Sequence, residues 1–177
     1  VIIKDIFYDS MFRINSNITT EIVDEIYRKL TKNLTADLVQ INKEISHMLY
    51  AGVEIPLDKD RTYTAKLIDR DDIENNIFNV VNQYTIRGYK EKRVDIILFI
   101  NGIPIVVFEL KSAIREEVDI QNAYNQIKNY QLDVPKLFYY NVFNVITDGV
   151  NARIGTITSN FSRYMTWKSK NGEKPTK

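Results

Sequence analysis

Three ionisable residues, Asp95, Glu109 and Lys111, interrupt the most apolar stretch of the chain, VDIILFINGIPIVVFELK at residues 94–111. Branched and aromatic residues form a run of strand length on each side of Asn101-Gly102, a dipeptide typical of a tight hairpin turn. A charge in such a strand is costly unless another group compensates it. Two carboxylates and one ammonium group in one hairpin compensate one another best around a divalent cation, so the stretch predicts a metal site.

The two carboxylates can share a cation only if they lie on the same face of the hairpin. Side chains alternate between the two faces of a strand. On the second strand this alternation groups Ile105, Val107, Glu109 and Lys111. On the first strand it groups Asp95, Ile97 and Phe99. The two groups share a face only if odd-numbered residues of one strand lie opposite odd-numbered residues of the other. The two residue numbers of each opposing pair then add up to an even number.

The turn decides this parity. A two-residue loop gives an odd sum and separates the carboxylates. A three-residue loop that pairs Phe99 with Ile103 gives an even sum. Asp95 then lies diagonal to Glu109. We therefore predict a three-residue loop with a bulge, in which Gly102 adopts a positive φ.

The residues of this hairpin resemble a known nuclease signature. Asp95, the hairpin and then the text ELK are similar to the PD-(D/E)xK motif, with Val94 where proline is usual. More specific than this motif are four longer stretches: NIFNVVNQYTIRG before the hairpin, NGIPIVVFELK within it, and QIKNY at residues 126–130 and VITDG after it. Together they resemble the nuclease domain of the R (restriction, motor) subunit of type I restriction-modification enzymes, over residues 49–167.

The resemblance implies a fold and a function. The fold is an α/β domain with a restriction-endonuclease-like mixed β-sheet flanked by helices. The function is metal-dependent endonuclease cleavage of unmethylated foreign DNA, after ATP-driven translocation by a motor that this chain does not contain. The implied partners are double-stranded DNA and the methyltransferase and specificity subunits of the restriction complex.

The resemblance and the chemistry of the trio together imply roles for individual residues. Asp95 and Glu109 hold Mg²⁺ through oxygen, which suits a hard cation, and the resemblance adds the carbonyl of Leu110 as a ligand. Lys111 orients the attacking water or stabilises the transition state. Gln126 and Tyr130, four residues apart and so on one helical face, support the site and contact DNA.

Composition sets the outer limits of these expectations. The chain has 177 residues, a net charge of +1 and no cysteine. Such a length suits one α/β domain, and the near-neutral charge argues against tight autonomous binding of nucleic acid. The absence of cysteine excludes disulfides and thiolate metal sites. No apolar run reaches membrane-spanning length, no signal peptide is recognisable, and a cytoplasmic protein is expected.

Periodicity places the remaining elements. Residues 1–17 are expected to form a strand or loop, and apolar residues at helical spacing predict helices over 18–30 and 35–50, the second ended by Gly52. A third helix is predicted over 117–131. Strands are predicted over residues 61–69, 77–86, 136–141, 142–147 and 152–156.

These observations suggest a division of the chain and leave two alternative functions open. We expect an endonuclease domain over residues 1–165 and a basic linker over 166–177, anchored at Trp167, that leads to the motor. The sequence has no G-x-x-x-x-G-K-[ST] loop, so this chain does not bind ATP at a Walker site. The alternatives are a RecB-like repair or resolvase nuclease and a non-catalytic module that docks the motor.

Overall fold

The computed structural model describes residues 1–32, 37–111, 116–148 and 151–167, without the side chains of 116–119. In these residues three α-helices are followed by five strands, two further α-helices and three further strands. The helices are Lys4–Ile14 (α1), Thr20–Thr31 (α2), Leu38–Ala51 (α3), Glu116–Asp133 (α4) and Pro135–Phe138 (α5). The strands are Val53–Pro56 (β1), Thr62–Ala65 (β2), Phe78–Arg87 (β3), Glu91–Ile100 (β4), Ile103–Leu110 (β5), Phe143–Thr147 (β6), Ala152–Gly155 (β7) and Met165–Thr166 (β8).

Six strands form one mixed sheet in the order β3-β4-β5-β6-β7-β8, while β1 and β2 form a separate antiparallel pair. Only β5 and β6 run parallel in the six-stranded sheet. A parallel pair needs a long crossover connection, and α4 lies within that connection. The expected α/β fold with a mixed sheet and flanking helices is confirmed.

The sheet is covered on both faces by different helices. One apolar cluster joins the first three helices to one face, with Phe7, Ile26 and Ile45 fully buried. A second cluster joins α4 and α5 to the opposite face, with Ile127 and Leu137 at its centre. A residue of the central strands therefore contacts α4 only if it points to the second face.

The hairpin turn has two residues, and the prediction of a three-residue loop is wrong. Ile100 lies opposite Ile103. Asn101 and Gly102 have φ values of 52° and 75°, as a type I′ turn requires. The predicted positive φ of Gly102 is confirmed. A side chain at this position would also collide with the carbonyl oxygen of Ile3, 2.5 Å from the site of a Cβ atom.

A buried hydrogen-bond network explains why Asn101 takes the left-handed conformation. Its side-chain oxygen accepts from the N–H of Ile77 at 2.8 Å. Its amide nitrogen donates to the carbonyl of Leu67 at 2.9 Å and to Asn76 Oδ1 at 2.8 Å. Asparagine tolerates this backbone region better than most residues, and the network satisfies a side chain with no exposed surface. A loop that began at Ile100 would break these bonds.

A bulge in β5 makes the sum of opposing residue numbers even again, although the two-residue turn alone would make it odd. Leu98 lies opposite Val106 but Phe99 lies opposite Pro104, so Ile105 is an extra residue on β5. Ile105 and Val106 consequently face the same apolar cluster although they are consecutive. The predicted grouping of Ile105 with the residues of the opposite face was therefore wrong.

Beyond the bulge, the two carboxylates occupy neighbouring positions on β4 and β5. The last regular pair joins Ile96 to Phe108, and the next residues along the two strands are Asp95 and Glu109. The predicted even sum holds, but the predicted diagonal arrangement does not. Val107 lies two residues before Glu109 and therefore faces the same side of β5. Val107 is buried against α4 and α5, so Glu109 points to the α4 face.

Two predicted elements are corrected. Residues 1–17, expected as a strand or loop, contain α1, in which Phe7 and Met11 lie one turn apart and are both fully buried. Residues 136–141, expected as a strand, contain α5. Pro135 stands in its first turn, where its missing N–H costs no hydrogen bond, and Leu137 and Phe138 are buried.

Most of the remaining elements agree with the predictions, but β2 ends at Ala65, four residues before the predicted end of that strand, and β1 and β8 were not predicted. The side chain of Thr19 caps α2, that of Asp37 caps α3, and Gly52 ends α3 with a φ of 90°. The backbone N–H of Trp167 donates to the carbonyl of Ala152. The predicted start of α3 at residue 35 and the predicted linker from residue 168 onward lie outside the described residues. In the part of the chain that the structure covers, no helix is both long and apolar enough to cross a membrane.

Candidate active site

The candidate site lies where β5 ends against the middle of β4, beneath α4. Glu109 is the last but one residue of β5, and Asp95 lies halfway along β4. Because β4 and β3 extend beyond the end of β5, the two strands form an arm at the edge of the site. The bulge described above turns Glu109 toward α4.

Glu109 is buried and has two side-chain partners. Its side chain is 3% exposed, and its Oε1 lies 2.7 Å from Lys111 Nζ. Its Oε2 accepts from the hydroxyl of Tyr130 at 3.0 Å. Burial raises the pKa of Glu109, the charge of Asp95 raises it further, and the bonds to Lys111 and Tyr130 act against this rise. An added cation would offset the cost of ionising this carboxylate in the folded chain.

Tyr130 connects α4 to both strands of the hairpin. Its hydroxyl lies 3.0 Å from Glu109 Oε2 and 3.1 Å from the carbonyl oxygen of Arg93, so one proton is shared by two acceptors. The ring is 3% exposed. Burial above all raises the pKa of Tyr130, and hydrogen bonding to Gln126 opposes this rise. Tyr130 thus remains a neutral donor to Glu109.

Asp95 accepts one hydrogen bond on each carboxylate oxygen. Oδ2 accepts from the backbone N–H of Leu110 at 2.9 Å, and Oδ1 accepts from Gln83 Nε2 at 3.1 Å. The bond to Leu110 holds the carboxylate against the residue that follows Glu109. The two carboxylates therefore lie at one place on the sheet, on neighbouring strands.

Leu110 presents its backbone to the site. Its own N–H points to Asp95, whereas the N–H of Lys111 donates to the carbonyl of Thr147 on β6 at 2.8 Å. The carbonyl of Leu110 shares a peptide group with this N–H of Lys111, and the C=O and N–H of one trans peptide group point in opposite directions. The carbonyl of Leu110 therefore leaves β5 on the Asp95 side. The side chain of Leu110 is 41% exposed and takes no part.

The donor set suits a hard divalent cation with an open coordination shell. Carboxylate and carbonyl oxygens are the ligands that Mg²⁺ and Ca²⁺ prefer. Asp95 and Glu109 stand without a third carboxylate or histidine, since no group of three such residues able to hold a metal occurs among the described residues. Mg²⁺ typically uses one or two carboxylates and completes its shell with water and phosphate. The residues present fit that mode.

The structure brings together most of the residues that the sequence singled out. Asp95, Glu109, Leu110, Lys111 and Tyr130 are linked by direct hydrogen bonds or lie next to one another in sequence. The sixth residue, Gln126, is half-buried one helical turn before Tyr130.

Two lysines ahead of the hairpin are paired with an acidic residue of α4. Lys90 and Lys92 both pair with Asp133, at 3.5 and 3.0 Å. Asp133 ends α4, and these ion pairs tie the arm of β3 and β4 to that helix.

Gln83 and the carbonyl of Arg93 are contacts that sequence reasoning missed. The position of the turn around Gly88 could have predicted that Gln83 lies opposite Asp95. That turn pairs Arg87 with Glu91, and the same sum of residue numbers pairs Gln83 with Asp95. No sequence signal points to a single backbone carbonyl.

Comparison with known proteins relates the chain to type I restriction enzymes. Residues 1–163 match the family model of the type I restriction enzyme R protein N terminus. The chain is 36% identical over 165 residues to the type I restriction enzyme HindI endonuclease subunit of Haemophilus influenzae, covering 90% of this chain and 16% of that protein.

A second relative comes from an archaeon. The chain is 32% identical over 174 residues to the putative type I restriction enzyme MjaIXP endonuclease subunit of Methanocaldococcus jannaschii, covering 94% of this chain and 17% of that protein. The chain thus spans about a sixth of the length of these curated relatives.

Proposed function

The chain belongs to the type I restriction enzyme R protein N-terminus family, and we propose that it is the metal-dependent DNA endonuclease domain of such a subunit. The observation that carries the proposal is the meeting of Asp95 with Glu109. Asp95 is hydrogen-bonded to the backbone next to Glu109, whose buried carboxylate also contacts Lys111. Two acidic groups and one ammonium group at a strand end suit hydrolysis of a phosphodiester.

Three groups of this chain would hold the cation: the carboxylates of Asp95 and Glu109 and the carbonyl of Leu110. Mg²⁺ is the cation that we propose, because the site offers only oxygen ligands and leaves room for water and phosphate. When bound, the cation lowers the pKa of water and stabilises the charge that develops on the phosphate. Its charge also offsets the repulsion between the two carboxylates.

Lys111 contributes to the reaction through its ammonium group. Its Nζ lies 2.7 Å from Glu109 Oε1, and its side chain is 32% exposed, so it can reach solvent and substrate while it remains paired. An ammonium group has three donors. One holds Glu109, and the others are available to orient the attacking water and to stabilise the phosphate in the transition state.

Tyr130 and Gln126 support the reaction from α4. Tyr130 fixes the orientation of Glu109 through its hydroxyl. Gln126 lies on the same helical face and is half-buried, and we assign it to a contact with the DNA backbone. Such contacts position a substrate without reading its sequence.

The wider context of the proposal comes from the relatives, which are named endonuclease subunits of type I restriction enzymes. We propose double-stranded, unmethylated foreign DNA as the substrate and the methyltransferase and specificity subunits as partners. Cleavage would follow ATP-driven translocation by a motor that lies outside this chain. Within the chain, residues 1–165 would form the nuclease domain and residues 166–177 the linker to that motor.

The proposal is tested by DNA cleavage in an R subunit that contains this chain, assembled with its partner subunits and ATP. Lys111→Met is compared with Lys92→Met, because Lys92 is a similarly half-buried lysine paired with Asp133. We expect Lys111→Met to lower the cleavage rate at least about 100-fold, while Lys92→Met and DNA-stimulated ATP hydrolysis by either variant stay near wild type. Equal cleavage by the two variants would remove Lys111 from the mechanism.

Asp95→Asn separates an enzyme from a docking module in the same assay. Loss of Mg²⁺-dependent cleavage in this variant, with the complex still assembled, supports the nuclease. If the complex assembles with the wild-type chain but never cleaves DNA, the non-catalytic docking module is favoured instead.

A further inference from the structure

Gln83 interrupts an otherwise regular pair of strands beside the candidate site. Its φ is 52°, a left-handed value that is rare for a residue with a side chain. Asn82 pairs with Ile96 and Tyr84 pairs with Val94, but no regular pairing joins Gln83 to Asp95 between them. The irregular residue of β3 thus stands directly opposite a carboxylate of the site.

At this point the alternation of side chains shifts on both strands, so that a different set of residues faces the apolar cluster around α4. On β3, Val81 faces the α4 cluster before Gln83, and Tyr84 faces it afterwards. On β4, Val94 and Ile97 both face that cluster, although three residues separate them. The left-handed residue thereby lets the end of the arm pack against α4 and α5.

The side chain of Gln83 has a separate role from its backbone. Its Nε2 donates to Asp95 Oδ1 at 3.1 Å, while the N–H of Leu110 holds Oδ2 at 2.9 Å. Two donors on different oxygens fix the rotation of the carboxylate plane. An ionised carboxylate offers about four lone-pair sites, so the two that remain stay available for a cation.

We propose that Gln83 is a positioning residue that orients the Asp95 carboxylate for cation binding. This inference rests on the proposed function, because it concerns the same metal site. A glutamine suits the role since its amide donates without adding a negative charge beside Asp95 and Glu109. The left-handed conformation is tolerated because the strands on both sides of Gln83 hold it in place.

The test separates the side chain from the backbone. Gln83→Gly removes the amide but favours the left-handed conformation. Asn17→Gly is the matched control, because Asn17 is an exposed residue with a φ of 59° that is not part of the site. Mn²⁺ binding to the 177-residue chain is measured by titration calorimetry without DNA, together with the melting temperature of each variant.

We expect both glycine variants to melt at or above the wild-type temperature, and only Gln83→Gly to lose Mn²⁺ affinity. The expected loss is about 10-fold, the lower end for residues that orient a metal ligand. In the assembled enzyme, Gln83→Gly should need about 10-fold more Mg²⁺ for half-maximal cleavage while it keeps its rate at saturating Mg²⁺. A purely structural role would change the melting temperature and leave the affinity unchanged.

Asp95→Asn distinguishes the failure of this inference from the failure of the proposed function. If wild-type chain binds Mn²⁺, Asp95→Asn does not, and Gln83→Gly binds like wild type, the role of Gln83 is overturned and the metal site stands. If wild-type chain binds no Mn²⁺, or binds it regardless of Asp95, both proposals are overturned.

Discussion

The hydroxyl of Tyr130 on α4 lies 3.0 Å from Oε2 of Glu109 on β5. The helix of the crossover connection thus fixes a carboxylate that the hairpin supplies. The same hydroxyl contacts the carbonyl of Arg93 on β4, so one side chain links three elements at the site. Site geometry and core packing depend on each other through this contact.

Tyr130→Phe should impair cation binding, with Tyr140→Phe as its control. Both tyrosines are 3% exposed, and the hydroxyl of Tyr140 donates to the carbonyl of Leu30 away from the site. Each variant should lose about 1–2 kcal/mol in the free energy of unfolding. Only Tyr130→Phe should weaken Mn²⁺ binding, because the lost donor stabilised ionised Glu109. Equal Mn²⁺ affinities would show that Tyr130 is structural alone.

Glu109→Gln should stabilise the metal-free chain at neutral pH. Burial raises the pKa of Glu109 above its ordinary value of 4.5, so the folded chain binds the proton more tightly than the unfolded chain. Stability due to this group is then complete below the unfolded-state pKa and is lost as the pH rises through the folded-state pKa. The variant avoids that loss, while its amide oxygen can still accept from Lys111.

Melting curves across pH measure this effect. At pH 7–8 without metal, a gain of ~1 kcal/mol in Glu109→Gln would raise the melting temperature by about 2–4 °C. The gain should vanish below about pH 4, where wild-type Glu109 is protonated in both states. The exposed Glu74 offers a control, Glu74→Gln, that should show no such trend. A Glu109→Gln variant that melts below wild type at neutral pH would contradict the sign of the argument.

Divalent cations should stabilise wild-type chain and not the Asp95→Asn variant. A ligand at ten times its Kd adds ~1.4 kcal/mol to the free energy of unfolding. Thermal shifts with Mg²⁺ or Mn²⁺ provide the measurement, and Asp71→Asn serves as a control because Asp71 is an exposed carboxylate that pairs with Lys66. Equal shifts in wild type and Asp95→Asn would locate the cation elsewhere.

The 177-residue chain alone should bind and cut DNA poorly. Its net charge of +1 offers few phosphate contacts, and Lys90 and Lys92 are paired with Asp133. Non-specific binding weaker than about 10 µM at physiological salt is expected, with a shallow salt dependence. Fluorescence anisotropy with a labelled duplex measures this affinity. Tight, salt-resistant binding would instead favour an independent repair nuclease.

The sequence was sufficient to predict the hairpin, its charged residues and the parity that unites Asp95 with Glu109. It did not predict the two-residue turn and the bulge in β5 that together produce this parity. The turn depends on Asn101, whose partners at Leu67, Asn76 and Ile77 come from distant segments. Such long-range bonds leave no periodic signal in a sequence.

The bulge and the irregular strand residue were hidden for a similar reason. Ile105 lies in a run of apolar residues that would be buried on either face, so the run does not show where the alternation changes. Gln83 adopts its left-handed conformation because its neighbours on both sides are held by pairing and packing. Propensity alone gives no reason to expect a glutamine there.

The most direct test of the account is the position of Mn²⁺ in crystals of the 177-residue chain, located by its anomalous scattering. We expect a peak bounded by the carboxylates of Asp95 and Glu109, with the carbonyl of Leu110 as a further ligand, and no such peak in Asp95→Asn. An ordered Mn²⁺ held by other carboxylates, or a pair of carboxylates that face away from a common ion, would contradict it.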